Sequence, residues 1–193
     1  MTNRLLRLPL LLALLLLAAT ALAACGSGLT EPTRHGADEG SYIQAGPLVY
    51  QVEISRALNP SSVEDAQYLQ GLPAGTPRLA GDEEWFGVWL RVQNATGASH
   101  VSASEFRIVD TTGQTYTPIP LPASNVLAYQ PSAVQGDGGQ PVYPDPNSAA
   151  GSGPINGSML LFKLNTSVYA NRPLNLEITP PGGGAPSTVV LDL

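Results

Sequence analysis

The sequence predicts an all-β sandwich carrying a short helical insert and a long Pro/Gly-rich loop. Three observations carry that reading. First, in Glu84 to Asn94 the residues Phe86, Val88, Leu90 and Val92 alternate with Trp85, Trp89, Arg91 and Gln93, and successive side chains of a strand point to opposite faces. Both tryptophans of the 193-residue chain lie on this stretch, so its large apolar surfaces require other strands to cover them. Second, Gly 20 and Pro 18 exceed ordinary usage, which favours many turns and disfavours a helical bundle. Third, the chain closes with three short apolar stretches at hairpin-like spacing, Met159 to Leu164, Leu174 to Ile178 and Thr188 to Leu193.

Composition narrows the function classes. With 43% hydrophobic residues the chain can build one domain with a proper core. Only 12% of residues are charged, Lys163 is the single lysine, and the net charge is -6. Phosphate backbones would be repelled by such a surface, which excludes nucleic acid as a partner. The one cysteine, Cys25, rules out an intrachain disulfide, a four-cysteine zinc site and a two-cysteine redox motif.

Residues 1–24 read as a leader. Arg4 and Arg7 precede an apolar run from Leu8 through Leu17, and small residues follow from Ala18 to Ala24, the order of a secretory signal. A membrane-spanning helix needs roughly 20 apolar residues, and this run has an early Pro9 and a small-residue tail. The run ends Leu22-Ala23-Ala24-Cys25-Gly26, which resembles the lipobox of bacterial lipoproteins. The resemblance implies lipid transfer to the Cys25 sulfur, cleavage before it, and an extracytoplasmic protein anchored to the cell membrane. Ordinary signal cleavage after Ala23, leaving a free thiol, is the alternative. Loss of the leader leaves seven basic against 15 acidic side chains, a net charge of about -8. Residues 25–45, rich in Gly, Ser, Thr, Pro and Glu, read as a flexible tether in which His35 is a solvated residue, and the domain is expected over 46–193.

Within that domain, Leu48, Tyr50, Val52 and Ile54 alternate with Val49, Gln51, Glu53 and Ser55, giving a strand with one buried face. Asn59-Pro60 ends it. Ser61 and Glu64 stand at capping-box spacing and Gly71 can close the other end, so Ser62 to Gln70 reads as a short helix docked by Tyr68, Leu69 and Leu72. Glu64 and Asp65 could join Asp82, Glu83 and Glu84 around calcium, but an oxygen cage needs six or more ligands and these lack a loop spacing. Turns at Asn94 to Gly97 and Asp110 to Gln114 flank a strand over Val101 to Asp110, with Phe106 and Ile108 apolar at period two and His100 alone in the connection.

From Thr117 to Gly157 eight prolines, Pro118, Pro120, Pro122, Pro131, Pro141, Pro144, Pro146 and Pro154, stand among glycines. Proline has no ladder donor, so this segment is no central strand, and long connections of this kind are often functional. Tyr129 and Tyr143 within it, and Tyr68 in the insert, are the candidate partner-binding residues, because amphipathic aromatic side chains are enriched at recognition surfaces. Packing against the sandwich is the alternative role for the two loop tyrosines. Asp137 and Asp145 bracket a cation position but stand too far apart in sequence to define one.

These segments together carry a resemblance. Trp85-Phe86-Gly87-Val88-Trp89-Leu90-Arg91-Val92-Gln93-Asn94, then Phe106-Arg107-Ile108-Val109-Asp110, Gly113-Gln114-Thr115-Tyr116 and Gly157-Ser158-Met159-Leu160-Leu161-Phe162 resemble the bacterial immunoglobulin-like extracellular lipoproteins of unknown function. The resemblance covers most of residues 46–193 and rests on core and turn positions. It implies an immunoglobulin-like antiparallel sandwich, and strands centred near residues 48, 88, 106, 116, 160, 176 and 190 give about seven, the number such a sandwich needs.

Reactive groups are not gathered anywhere in the sequence. It holds no Gly-x-Ser-x-Gly elbow, no His-Glu-x-x-His and no phosphate-binding glycine loop. The expectation is a non-catalytic, lipid-anchored binding module without cofactor or metal, whose partner is a protein or another component of the cell envelope. A passive envelope protein and a calcium-dependent adhesive module are the alternatives.

Overall fold

The computed structural model describes residues 31–136, 139 and 141–192. The leader, Cys25 and Asp137 lie outside the described residues. The chain first runs through β1 (His35–Gly36), β2 (Tyr42–Ala45), β3 (Leu48–Leu58), the one-turn helix α1 (Val63–Ala66) and β4 (Glu83–Gln93). Next come β5 (His100–Val101), β6 (Glu105–Val109), β7 (Thr115–Tyr116), β8 (Ala133–Val134) and β9 (Val142–Tyr143). The one-turn helix α2 (Ala149–Ser152), β10 (Ser158–Asn165), β11 (Leu174–Thr179) and β12 (Ser187–Leu191) complete it. More strands form than the sequence suggests, because five of these are ladders of only two residues.

Two sheets face each other. One has the order β2-β3-β4-β10, with β9 also beside β4, and the other β1-β12-β11-β6-β7. β5 and β8 form a separate small ribbon. The architecture is an all-β two-sheet sandwich whose connection order departs from the immunoglobulin pattern expected: β3 and β4, the middle pair of the first sheet, are consecutive in the chain, whereas the middle strands of an immunoglobulin ABED sheet are not. Between the sheets lies one core, in which Phe86, Val88, Leu90 and Val92 of β4 meet Phe106 and Ile108 of β6 and Leu176 and Ile178 of β11. A second core covers the opposite face of β4. There Trp85 and Trp89 pack with Leu58, Tyr68, Met159 and Leu161 beneath the insert and the Pro-rich segment.

One bulge explains how β3 serves both cores. Val52 stands opposite Leu90 and Ile54 opposite Trp89, so Glu53 is the extra residue of the longer strand. The extra residue reverses the side-chain phase. Val52 points between the sheets, whereas Ile54 joins the second core rather than continuing the face of Tyr50 and Val52.

The domain also begins earlier than residue 46. Tyr42 to Ala45 pairs with β3, and Ile43 and Ala45 are buried in the main core. Thr33 N–H donates to Tyr42 O over 2.8 Å, and β1 runs parallel to β12. His35 is thus a strand residue, its Nδ1 2.9 Å from Thr188 Oγ1. Glu39 fixes the next turn by accepting from Ser55 N–H and, over 3.1 Å, from Asp192 N–H. The alternation in Tyr42-Ile43-Gln44-Ala45 spans only four residues, too short to stand out against the polar segment before it.

The insert is helical over Val63–Ala66 and continues as a 3-10 turn over Gln67–Leu69. Its cap is Ser62, with no side-chain cap bond, so the Ser61/Glu64 capping box does not form. Asp65 does the positioning instead. Its carboxylate accepts from Arg56 Nη2 at 2.6 Å, Arg56 Nη1 at 3.1 Å and Asn59 N–H at 2.8 Å. The Arg56 hydrogen bonds hold the Asp65 carboxyl below its ordinary value, against the opposing effect of burial. Arg56 in turn lies 5.2 Å from the centroid of the Trp89 ring, a cation–π distance.

Asp65→Ala should therefore lower the unfolding free energy by about 1–3 kcal/mol at neutral pH, since it strands the partners of a buried acceptor. A depressed carboxyl pKa stabilises above the unfolded value, here 3.8, and that stabilisation disappears as pH falls through the folded value. Urea titrations of both proteins should accordingly show the difference shrinking in acid.

Candidate functional site

The candidate site arises where a ladder stops. β6 pairs with β11 along its whole length, from Glu105 opposite Thr179 to Val109 opposite Asn175. On its other edge β7 covers only Ile108 and Val109. Continued in the same register, the partners of Phe106 and Ser104 would be Pro118 and Pro120, neither of which has an N–H to donate. The chain leaves for the other sheet instead. Ile119 N–H donates to Leu161 O over 2.7 Å, and Tyr129 N–H donates to Met159 O over 2.8 Å.

Residues 117–131 thus span the gap between the edges of the two sheets without filling it. They leave a half-open cleft of about 690 Å³, within the usual size range of ligand pockets. Its inner wall is apolar, with Phe106, Ile119, Leu121, Met159, Leu160 and Leu161. Its rim is polar, with Ser104, Glu105, Arg107, Thr117, Gln130 and Thr179, and Gly184 and Pro186 of the β11–β12 connection close one end. Arg107 Nε lies 2.5 Å from Glu177 Oε2. The cleft thus presents one apolar wall and one hydrogen-bonding wall.

Two tyrosines make this edge rigid. Ala103 N–H donates to Tyr50 Oη over 2.7 Å, and Tyr129 Oη donates to Ala103 O over 2.8 Å, so the residue entering β6 is held from both sides. Burial pushes the Tyr50 phenol up to about 12 and the Tyr129 phenol well above its ordinary value. Tyr129 also packs edge-on against Phe106 at 5.1 Å and against Tyr143 at 5.4 Å between centroids.

The three tyrosines singled out as partner-binding residues are placed differently from that expectation. Tyr68 is buried in the second core, edge-on to Trp89 at 5.0 Å. Tyr129 is buried too, and reaches the cleft as part of its wall. Tyr143 is half-buried and accepts Gln130 N–H at its Oη over 2.8 Å. Their large rings are what two sheets and an overlying segment need at a seam, and packing uses them there. The cleft residues Ser104, Thr117 and Gln130 gave no sequence signal, whereas Pro118 and Pro120, which create the opening, were visible as strand breakers.

The acidic residues weighed for calcium are dispersed. Asp65 is engaged by Arg56, Asp82 by Asn165 Nδ2 at 2.8 Å, Glu83 by Lys163 Nζ at 2.9 Å and Glu84 by Tyr169 Oη at 3.1 Å. Asp145 accepts the backbone N–H of Asn147 over 2.8 Å in its own turn. Among the described residues no three or more His, Cys, Asp or Glu are grouped so as to hold a metal ion.

No protein-family model matches the chain, and no curated protein sequence does. Among solved structures it is similar to ycdA, a candidate lipoprotein of Bacillus subtilis subsp. subtilis str. 168, with 14% identity and a TM-score of 0.47. That match covers 80% of this chain but only 38% of the length of the other. It is also similar to the yjhA protein of Bacillus subtilis, with 11% identity, a TM-score of 0.50 and coverage of 81% and 99% of the two chains. An uncharacterized β-sandwich protein of Clostridium difficile 630 matches at 10% identity and a TM-score of 0.36, over 84% of this chain and 97% of that one. At such identities the likeness concerns the fold alone.

The tyrosine pair makes the site sensitive to alkali. A phenol whose folded pKa is raised favours the neutral form, so its stabilisation is complete below the ordinary value of 10.0 and is lost as pH rises through about 12. Tyr50→Phe removes both that titration and the acceptor for Ala103 N–H. It should cost about 1–3 kcal/mol near neutral pH, while losing less stability than the parent between about pH 10 and about pH 12 in denaturant titrations.

Proposed function

We propose that this protein is a lipid-anchored, extracytoplasmic binding module, non-catalytic, which engages a protein or cell-envelope partner at the cleft between β6 and β10. The cleft is the observation that carries the reading: a half-open cavity with an apolar inner wall, a polar rim and a rigid frame. The leader pattern supports the location, since the only cysteine stands where a lipobox requires it. Two or more acyl chains on Cys25, at about 0.8 kcal/mol per buried methylene, would give a stable anchor. The dispersed carboxylates and the absence of His and Cys from the cleft support a binding role over a catalytic one.

Two measurements test this. Cells expressing the parent protein should incorporate labelled palmitate into it, and Cys25→Ser should abolish incorporation; a lipid-free parent protein, or a labelled variant, removes the anchor. A photocrosslinking residue in place of Thr117, at the cleft rim, should capture an envelope component on intact cells. The same residue at Val63, which is 90% exposed on the insert, should not. Equal capture at both positions, or turnover of an envelope substrate by the purified protein, contradicts the reading.

A further inference from the structure

We propose that the cleft takes an extended peptide that adds as a strand to the free edge of β6, with an apolar side chain in the cleft and a neighbouring basic side chain against Glu105. This rests on the binding role of the cleft and specifies its occupant. Asp110 N–H donates to Gln114 O over 3.1 Å, and Ile108 stands opposite Tyr116. In an antiparallel ladder hydrogen-bonded pairs alternate, so the even-numbered residues of this strand turn their backbone groups toward β7. Phe106 and Ser104 are the next two such residues. The chain's own continuation offers them Pro118 and Pro120 and then departs to Leu161. The N–H and C=O of Phe106 and Ser104 therefore face the cleft as an unextended sheet edge.

An incoming strand satisfies that edge by backbone hydrogen bonds, and every second side chain of it points between the two sheets. In the cleft it meets Leu160 of the inter-sheet core and Ile119 and Leu121 of the overlying segment. The charge preference follows from the two ionic groups at the mouth. Arg107 is already paired with Glu177, whereas Glu105 is exposed and has no salt bridge among the described residues, on a chain whose net charge is -6. A basic residue beside the apolar one is the complement. An acyl chain fits less well, because one wall of the cleft presents peptide groups and hydroxyls that a hydrocarbon would desolvate without replacement.

Amide hydrogen exchange on the detergent-solubilised full-length protein tests this with the synthetic peptide Lys-Val-Thr-Val-Lys-Val-Thr as probe. At millimolar peptide, protection should appear over residues 104–107. Ser104→Pro places an imide where an edge strand tolerates one. It should preserve the thermal midpoint and weaken peptide binding by at least about tenfold. Glu105→Lys should weaken the basic probe and strengthen Glu-Val-Thr-Val-Glu-Val-Thr by about tenfold each, as rim charges steer recognition. Absence of protection, or binding that survives Ser104→Pro, overturns the proposal. Protection by phosphatidylglycerol vesicles in place of peptide would assign the cleft to acyl chains, and self-association abolished by Ser104→Pro would assign the edge to a second copy; either overturns it. Capture at Thr117 with no peptide binding would leave the binding role standing and remove only the peptide.

Discussion

Burial of both faces of β4 is the constraint on which the rest of the structure depends. A strand that is apolar on alternate positions needs one covering layer, but Trp85 and Trp89 give this one a second apolar face. The opposing sheet covers the first and the two non-strand segments cover the other. Space for the second layer is gained at Gly87, where a Cβ would stand 2.6 Å from the Trp89 ring. The far edge of the indole can sit over position 87 only because that position has no side chain. Arg56 and Tyr68 then close over the ring from two directions. The insert and the Pro-rich segment are thus a third layer of the domain, and their order follows from the aromatic surface beneath them.

Much of this was legible in the sequence because it depends on local alternation. The phase of Phe86 to Val92 and the strands at Phe106, Leu160 and Leu176 follow from period-two patterning, and the docking of Tyr68, Leu69 and Leu72 follows from the short helix between Pro60 and Gly71. What escaped depended on counting across strands. The Glu53 bulge is defined only by comparing Val52–Ile54 with Leu90–Trp89, so no inspection of β3 alone could place Ile54 on the second face. The early start of the domain escaped for a related reason. β1 is held by β12, more than 150 residues later in the chain, and contributes only two residues of its own.

The cleft shows the same division. Proline at 118 and 120 announces that a strand ends, and composition carries that message well. That a strand elsewhere is thereby left without a neighbour is a statement about register, which requires knowing that Tyr116 stands opposite Ile108. Exposed tyrosines are recognition groups by their amphipathic chemistry, which is the basis of the sequence expectation for Tyr68, Tyr129 and Tyr143. Tyr129 instead spends its hydroxyl on Ala103 and its ring on Phe106, which fixes the edge rather than meeting a partner directly.

The parallel pairing of β1 with β12 also sets where the two ends of the described chain emerge. Arg34 lies beside the start of β12, its Nη2 donating to Ala185 O and its carbonyl accepting Thr188 N–H, whereas Asp192 lies beyond the far end of that strand. Five residues of strand separate them, about 17 Å at the usual rise. A reporter or epitope fused behind Asp192 would accordingly emerge at the end of this strand pair opposite Arg34.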